Sequence, residues 1–369
     1  MGDDSSQKRE RWRTEVLVHV MSFLPVRNVF AVMSVSRDFE TAAREAVKNR
    51  KCLVLGPGSF KAGSDDMNGL EVVFRHGSFP QVEEFERQLR MEKSVMMCTK
   101  LVELHVTCRL EFDDEPSPAC TFSNWVVNAL IEQNAETLEI VRLKGNYSMP
   151  LVTFPNLYEL KVISVVANSL HLYPKLSSLK VISLKEETVT QLPVRLTYLS
   201  LDYMDICSSI IADGKSSLLA HLVNLRRIRF KVDHETNDDE LLEFLLPFKL
   251  LERISISYAD QADTHLFLQT IVNRHPNLVR LKLWNVKWNR DSVDALCRFR
   301  RLQHLSISII GSDERSQWSA DDVRLFLSSG SNATLKSVAL PVKNKREAKE
   351  AADQVKRETG SQFEFTTRY

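Results

Sequence analysis

The 369-residue sequence contains little glycine (11 residues), little proline (12 residues) and almost no net charge. The scarcity of glycine and proline excludes collagen-like and low-complexity chains. Lys and Arg together number 49 against 48 Asp and Glu, which gives a formal net charge of +1. Near-neutrality argues against a protein built wholly around nucleic acid, although it allows one charged face. Leucine, by contrast, is abundant at 46 residues, which indicates a leucine-based repeat.

Long apolar runs are absent as well. The opening residues MGDDSSQKRERW have no apolar core, and no uninterrupted apolar stretch has the length of a membrane-spanning helix. We therefore expect neither a signal peptide nor a membrane span. The six cysteines form no CxxC pair and follow no regular spacing, which argues against a zinc framework or a disulfide scaffold. These features predict a cytoplasmic and/or nuclear protein.

Catalytic motifs are missing too. The sequence has no Gly-rich phosphate loop, no GxSxG and no HExxH. His234 stands between Asp233 and Glu235, but the segment DHETNDDE is more typical of a helix start than of a metal site. We expect no enzymatic activity, no cofactor and no metal.

One phrase recurs from residue 101 onward: a leucine, two residues, an aliphatic residue, one residue and a second aliphatic residue. Its ten copies begin at Leu101, Leu138, Leu157, Leu176, Leu196, Leu225, Leu251, Leu278, Leu302 and Leu335. Alternating aliphatic residues predict a β-strand in each copy, and proline often stands just ahead of it, as in FPNL, YPKL and HPNL. Segments with helical period lie between the later copies, one of them containing Val323, Phe326 and Leu327.

Helix ends can also be predicted. Ser319 precedes Asp322 by three residues, the spacing of a capping box at a helix start. Near the end of the sequence, residues 345–358 have a charged helical pattern, Gly360 can stop that helix, and FEFTT can form a last strand.

A strand phrase followed by a helix or an extended return, repeated about ten times, resembles the leucine-rich-repeat family over residues 70–369. The family's asparagine, three residues past the last aliphatic residue, has a counterpart only at Asn146. The resemblance therefore implies an α/β solenoid of irregular repeats, with a parallel sheet on its concave face.

The N-terminal segment carries more apolar residues than three short helices can bury among themselves. It resembles the F-box motif in three stretches: Glu15-Val16-Leu17, Ser22-Phe23-Leu24-Pro25 and Val35-Ser36-Arg37 with Phe39. Trp12-Arg13 stands where the family has Leu-Pro, Ser36 replaces Cys and Phe39 replaces Trp. The implied organisation is a disordered start (1–10), an F-box-like three-helix module (11–50), a linker (51–69) and the repeat solenoid with a C-terminal cap (70–369).

The F-box resemblance implies docking onto the Skp adaptor, and thereby onto the cullin scaffold, of a ubiquitin ligase. The implied adaptor-binding residues are Trp12, Val16, Leu17, Val20, Leu24, Pro25, Val29 and Phe30. Helix-in-groove docking would bury them in the partner. The alternative is that these residues pack only against the repeat domain.

Strand alternation places the residues between the aliphatic positions on the solvent face. Ten bases fall there, against the acids Glu103, Glu159 and Asp202: Arg142, Lys144, Lys161, Lys180, Arg227, Arg229, Lys231, Arg253, Arg280 and Lys282. Tyr198, Trp284 and His304 share the face. The candidate substrate-binding residues are Arg142, Lys161, Lys180, Tyr198, Arg227, Arg229, Arg253, Arg280, Lys282, Trp284 and His304.

Two interpretations of this face stay open. Arg side chains bind carboxylates and phosphates through two parallel hydrogen bonds, which predicts an acidic or phosphorylated protein substrate. Lys and Arg on exposed strands also protect proteins against aggregation. Nucleic acid is a weaker candidate, because no groove-reading motif accompanies the bases.

The sequence thus predicts a non-catalytic substrate-recognition subunit of a Skp-cullin-F-box ligase in the ubiquitin conjugation pathway, with no membrane partner. The alternative is a leucine-rich-repeat scaffold that binds a protein without transferring ubiquitin.

Overall fold

The computed structural model describes residues 15–21, 35–57, 69–74, 96–107, 124–144, 147, 149–166, 168–184, 186–201, 218–232, 238–309, 317–329 and 334–368. The chain divides into two compact units, Met1–Leu176 and Ser177–Tyr369. Within the described ranges, no helix combines the length and the apolar character that crossing a membrane requires.

The first unit is built on parallel strands. Its elements are helical residues 15–21 and α1 (Arg37–Lys48), β1 (Cys52–Pro57), β2 (Gly69–Phe74), β3 (Glu103–Thr107), α2 (Asn124–Gln133), β4 (Ile140–Lys144), β5 (Glu159–Ser164) and a 3-10 turn at Leu170–Leu172. Within this unit the strand order is β2-β1-β3-β4-β5, and the pairs β1–β2, β1–β3, β3–β4 and β4–β5 are parallel.

The second unit continues the same plan with strands and helices in alternation. Its elements are β6 (Ser178–Ser183), α3 (Glu186–Val189), β7 (Tyr198–Leu201), β8 (Arg227–Val232), α4 (Asp238–Leu245), β9 (Arg253–Asp263), α5 (His265–Arg274), β10 (Arg280–Lys287), α6 (Arg290–Leu296), β11 (His304–Ser308), α7 (Ala320–Ser328), β12 (Ser337–Pro341), α8 (Lys345–Thr359) and β13 (Glu364–Arg368). Each strand pairs in parallel with the next strand of the chain.

All ten leucine phrases lead into a strand, β3 to β12, and the first leucine of every phrase is at most 5% exposed. The same pair of backbone hydrogen bonds recurs just before strands of the second unit. The carbonyl of Thr197 accepts the N–H groups of Arg226 and Arg227, and the carbonyl of Arg226 accepts those of Glu252 and Arg253. Repeats of unequal length therefore meet at an equivalent position. The predicted α/β class with parallel strands is confirmed, and the stacking is compatible with a solenoid.

Both predicted helix ends are confirmed. The Ser319 hydroxyl accepts the N–H of Asp322, and the Asp322 carboxylate accepts the N–H of Ser319, which completes the capping box of α7. Gly360 ends α8 in the left-handed conformation, with φ 68°. The last strand, β13, follows it.

One region departs from the expected organisation. Residues 51–69 were expected to link the helical module to the repeats, yet Cys52–Pro57 forms β1, which lies between β2 and β3. Leu53 is fully buried there. The loop-like segment GPGSFKAGSDDMNG falls mostly on residues 58–68, which lie outside the described part. Because this segment is rich in glycine and polar residues, the short apolar strand just ahead of it was not predicted.

We expect Gly360→Ala to lower the free energy of unfolding of the second unit by about 1 kcal/mol, because an L side chain at φ 68° meets its own backbone. A Cβ at this position would have no other heavy atom within 4 Å, so the cost is purely conformational. Urea denaturation measures it. Gly360→Asn is the matched variant and should lose less, since Asn tolerates the left-handed region. Equal stability of the alanine variant and the wild type would contradict this account.

Candidate functional site

Burial alternates along the central strands of the second unit. On β8, Ile228, Phe230 and Val232 are buried, whereas Arg227 and Arg229 lie on the opposite, solvent-facing side. β9 and β10 alternate in the same way. The predicted face residues Lys180, Tyr198, Arg227, Arg229, Arg253, Arg280, Lys282, Trp284 and His304 therefore occupy one face of this unit.

The first unit holds the other two predicted residues of the face, Arg142 and Lys161, in directly opposite positions on β4 and β5. Arg142 Nε lies 2.6 Å from a carboxylate oxygen of Glu159, and its Nη1 lies 3.3 Å from His105 Nε2. Burial first, and then the positive charge of Arg142, lowers the pKa of His105 to about 4. The charge of Arg142 is thus offset within its own unit, which makes it a weaker candidate for binding an external anion.

The second unit places three arginines side by side. Arg227 on β8 pairs with Arg253 on β9, and Arg253 pairs with Arg280 on β10. Tyr198 extends this line on one side, and His304 extends it on the other. Neighbouring strands lie about 4.8 Å apart. We call Arg227, Arg253 and Arg280 the arginine row.

The arginine row lies in positively charged surroundings. Among the residues that the structure describes, no carboxylate forms an ion pair with Arg227, Arg253 or Arg280. Burial, followed by the charges of Arg227 and Arg280, lowers the pKa of Arg253. Burial, followed by the charges of Arg280 and Lys336, lowers the pKa of His304. Like charges directly opposite one another destabilise a sheet, so the arrangement carries a cost that an anionic ligand would offset.

Serine side chains separate the bases in the next line of the face. Ser255 lies between Arg229 and Lys282, and Ser306 lies on the other side of Lys282. These hydroxyls were not among the predicted residues of the face, although the same strand alternation places them there. Short side chains leave space between the long cationic ones, and their hydroxyls can donate to an anion.

Two donors on this face are buried without a partner in the described part of the chain, Arg280 Nε and Ser306 Oγ. Leaving a buried donor unsatisfied costs about 1–3 kcal/mol. Because Arg280 pairs with His304, and Lys282 with Ser306, these four residues occupy neighbouring positions on β10 and β11. We call Arg280, Lys282, His304 and Ser306 the β10–β11 cluster.

Trp284 lies on β10 two residues beyond Lys282. The Arg229 guanidinium carbon is 5.7 Å from the centre of its ring, and Lys282 Nζ is 5.8 Å from it. Cations at this distance are attracted to the negative face of an aromatic ring. Trp284 therefore holds the positive charges of Arg229 and Lys282 close to one ring.

The pairing of β10 with β9 becomes irregular just beyond Trp284. The pairing of β10 with β9 shifts register between Trp284 and Val286. Asn285, at φ 61°, fills the shift and donates from its buried amide to the carbonyl of Ala259 at 2.8 Å. The leucine-rich-repeat pattern has its asparagine three residues past the last aliphatic residue, so Asn285, two residues past Leu283, was not predicted.

Only some of the predicted adaptor-binding residues lie in the described part of the chain. Val16 and Val20, one helical turn apart within residues 15–21, are 48% and 52% exposed. Leu17 is half-buried and Met21 is 2% exposed, and the Met21 carbonyl accepts a hydrogen bond from Arg50. This turn of helix thus packs on one side and leaves its valine side open. Trp12, Leu24, Pro25, Val29 and Phe30 lie outside the described residues.

Buried His275, at the end of α5, predicts a loss of stability in acid. It is 2% exposed, and neither ring nitrogen has a hydrogen-bond partner among the described residues. Burial, then the charges of Lys249 and Arg274, lowers its pKa to about 4, against about 6.5 when unfolded. The folded state takes up this proton less readily than the unfolded state. The contribution of neutral His275 to the free energy of unfolding is therefore fully present above about pH 6.5 and is lost as the pH falls towards 4.

We expect His275→Leu to remove this contribution, so the free energy of unfolding should fall less steeply between pH 6.5 and 4 than in the wild type. Urea denaturation across that range measures both slopes, and the values at pH 7.5 give the packing cost of the substitution alone. Parallel curves for the two proteins would contradict the assignment.

In the described part of the chain, no three His, Cys, Asp or Glu side chains are grouped to hold a metal ion. No protein-family model matches the sequence, and no curated protein matches it.

Proposed function

We propose that this protein is a substrate-recognition subunit of a Skp-cullin-F-box ubiquitin ligase. In this proposal its N-terminal segment is an F-box-like module that docks onto the Skp adaptor. Each parallel-strand unit is built from leucine-rich repeats, and the solvent face of the strands in the second unit binds the substrate protein. The subunit performs no chemistry itself, because holding a substrate near the conjugating enzyme is enough to accelerate transfer.

The exposed pair Val16 and Val20 carries the proposal. Both lie in the segment that resembles the F-box, at positions where the resemblance implies contact with the adaptor. A folded protein that leaves two aliphatic side chains of one helical turn about half exposed, while the neighbouring Met21 is buried, presents an apolar surface suited to a helix-in-groove partner.

The strand face of the second unit supports the substrate-binding half of the proposal. Its arginine row and Trp284 are residue types that dominate protein interfaces. The face is built on paired strands rather than on loops, so its side chains are held at fixed spacing.

Affinity purification of the epitope-tagged full chain tests the proposal. Cells are treated with a proteasome inhibitor, so that substrates are not degraded, and the recovered proteins are identified by mass spectrometry. We expect the Skp adaptor and a cullin to be recovered with the wild-type chain and not with the tag alone. Failure to recover the adaptor with the intact chain would overturn the proposal.

A further inference from the structure

The last strand of the second unit, β13, lies at the edge of its sheet. Its residues Glu364–Arg368 pair in parallel with β12, which is the only strand beside β13 in the described part of the chain. The Glu364 N–H donates to the Lys336 carbonyl, just ahead of β12, at 2.9 Å. Successive residues of a strand direct their backbone groups to opposite sides. The N–H and C=O groups of Phe365 and Thr367 therefore point away from β12.

Proteins usually protect an open strand edge of this kind. Lysine or proline on the edge strand and a bulge that twists it away are common devices. β13, with the sequence EFTTR, has neither lysine nor proline, and its register with β12 is continuous from Glu364 to Arg368. Its two charged residues have opposite signs, so they do not repel a second strand of the same sequence.

The buried side of β13 also ends with apolar surface. Phe365 lies opposite Val338, and Thr367 lies opposite Leu340. Val338 and Leu340 are buried, whereas Phe365 and Thr367 are only half-buried. A further strand at this edge would remove more of the Phe365 ring from water, which favours association.

We propose that β13 pairs antiparallel with β13 of a second copy of this chain, about a two-fold axis that passes by Thr366. A two-fold interface uses the same patch on both copies and is closed at the dimer. This inference goes beyond the proposed function and does not depend on it, because β13 and the F-box-like segment belong to different units.

The sequence of β13 is self-complementary in this register. With Thr366 opposite Thr366, Glu364 lies opposite Arg368 of the second copy, and Phe365 lies opposite Thr367. Opposite charges, an aromatic residue with a β-branched residue, and two threonines are all cross-strand pairs that stabilise antiparallel strands. Every residue of β13 thus gains a favourable partner.

The backbone of β13 allows the same register. Phe365 and Thr367, whose backbone groups point outward, meet across the interface, and such a pair exchanges both of its N–H···O=C hydrogen bonds. An axis at Glu364 or at Arg368 would set two like charges opposite one another, which is unfavourable. An axis at Phe365 or at Thr367 would leave one of the charged residues opposite a threonine. Only the axis at Thr366 pairs glutamate with arginine.

The dimer would have a consequence for binding. Two sheets that join edge to edge keep one common solvent face, so the arginine rows of the two copies would lie on the same side. A ligand that contacts both copies would be held more tightly, because its second contact forms at a high effective concentration.

Sedimentation equilibrium of the purified full chain tests the pairing. Reducing buffer excludes dimers that are linked through the free cysteines. We expect a reversible equilibrium between monomer and dimer that stops at the dimer. A monomer at every concentration would overturn the inference. Association that continues beyond the dimer would also overturn it, because β13 would then pair with a different surface of the next copy.

Two charge reversals test the register. Glu364→Arg gives β13 two basic residues and Arg368→Glu gives it two acidic residues, so each variant sets like charges opposite one another in its own dimer. We expect each variant alone to dimerise at least about tenfold more weakly than the wild type. An equimolar mixture should recover wild-type affinity, since the mixed dimer pairs arginine with glutamate at both positions. Wild-type dimerisation of either variant alone, or no recovery in the mixture, would overturn the inference.

Proline substitutions separate pairing from folding. Thr367→Pro removes an N–H group that points away from β12, a position where an edge strand tolerates proline. This variant should lose the dimer and keep its free energy of unfolding. Thr366→Pro removes an N–H group that points towards β12 and should lower the free energy of unfolding. Wild-type dimerisation of Thr367→Pro would overturn the inference.

Lys287→Glu is the matched control for Arg368→Glu, because it makes the same change of charge at an exposed position of β10. β11 and β12 separate β10 from β13 in the sheet. We expect Lys287→Glu to change dimerisation less than about twofold, since charges separated by more than a Debye length are largely screened. Equal weakening by Lys287→Glu and Arg368→Glu would show a general charge effect and overturn the assignment to β13.

Discussion

Replacing Val16 and Val20 together by Asp should weaken binding of the Skp adaptor by more than about 100-fold, because two charges would enter an interface that is otherwise apolar. Both side chains are about half exposed in the described structure, so the double variant should remain folded. Titration of the purified full chain with purified adaptor measures the change. The buried side of this turn of helix, Leu17 and Met21, is left intact.

Val194 and Val223 supply the control for that experiment. They are 53% and 52% exposed and lie in the second unit, so Val194→Asp with Val223→Asp makes the same chemical change away from the N-terminal segment. We expect this pair to leave adaptor binding unchanged. Equal affinity of the Val16/Val20 variant and the wild type would mean that the exposed valines do not form the docking surface.

Trp318→Ala should lower the free energy of unfolding of the second unit by about 3–5 kcal/mol, the usual cost of emptying a large aromatic site. Trp318 is 1% exposed and lies against Trp288 and Phe326, with ring centres 5.3 and 5.8 Å away. It also joins the chain ahead of α7 to the end of β12, since its N–H donates to the Pro341 carbonyl. Repeats are stable through their neighbours, so the loss should spread beyond this contact.

Trp125→Ala is the matched control, because Trp125 is 60% exposed on α2 of the first unit. We expect it to cost less than about 1 kcal/mol. Urea denaturation of both variants gives the comparison. Similar losses at the two positions would show that burial does not govern the contribution of tryptophan in this protein.

The strand positions could be predicted because strand alternation is local. Each leucine phrase carries its own buried positions, so all ten strands from β3 to β12 were expected at the right place. The helix ends were equally local: Ser319 and Asp322 cap one another across three residues, and Gly360 occupies a backbone conformation that other residues avoid.

Contacts between residues that are far apart in the sequence could not be predicted from local patterns. β1 lies between β2 and β3, and no local pattern shows that a strand joins partners on both sides out of chain order. The pairing of Arg142 with Glu159 depends on which strands are neighbours and how long the side chains are. On α2, Trp125 faces outward while Val126 and Val127 are buried, which depends on the neighbours of the helix and not on residue type alone.

The strand face of the second unit could be predicted only in part. Alternation placed Arg227, Arg253 and Arg280 on the solvent side, but only the register brings them into one row. The serines of the neighbouring row were passed over because hydroxyls carry no charge, and the buried donors of Arg280 and Ser306 depend on packing. Charge sorting was therefore visible in the sequence, whereas the alignment of the three arginines and the burial of these two donors were not.

The most direct test of the central claim is the half-life of a protein captured by the strand face. Proteins recovered with the wild-type chain, and lost with Arg253→Gln and Arg280→Gln, are followed by pulse-chase labelling with and without depletion of this protein. A substrate receptor predicts that their half-lives lengthen on depletion and return with the wild-type chain but not with the Val16/Val20 variant. Captured proteins whose half-lives do not change on depletion would contradict the account and indicate a scaffold that binds without directing degradation.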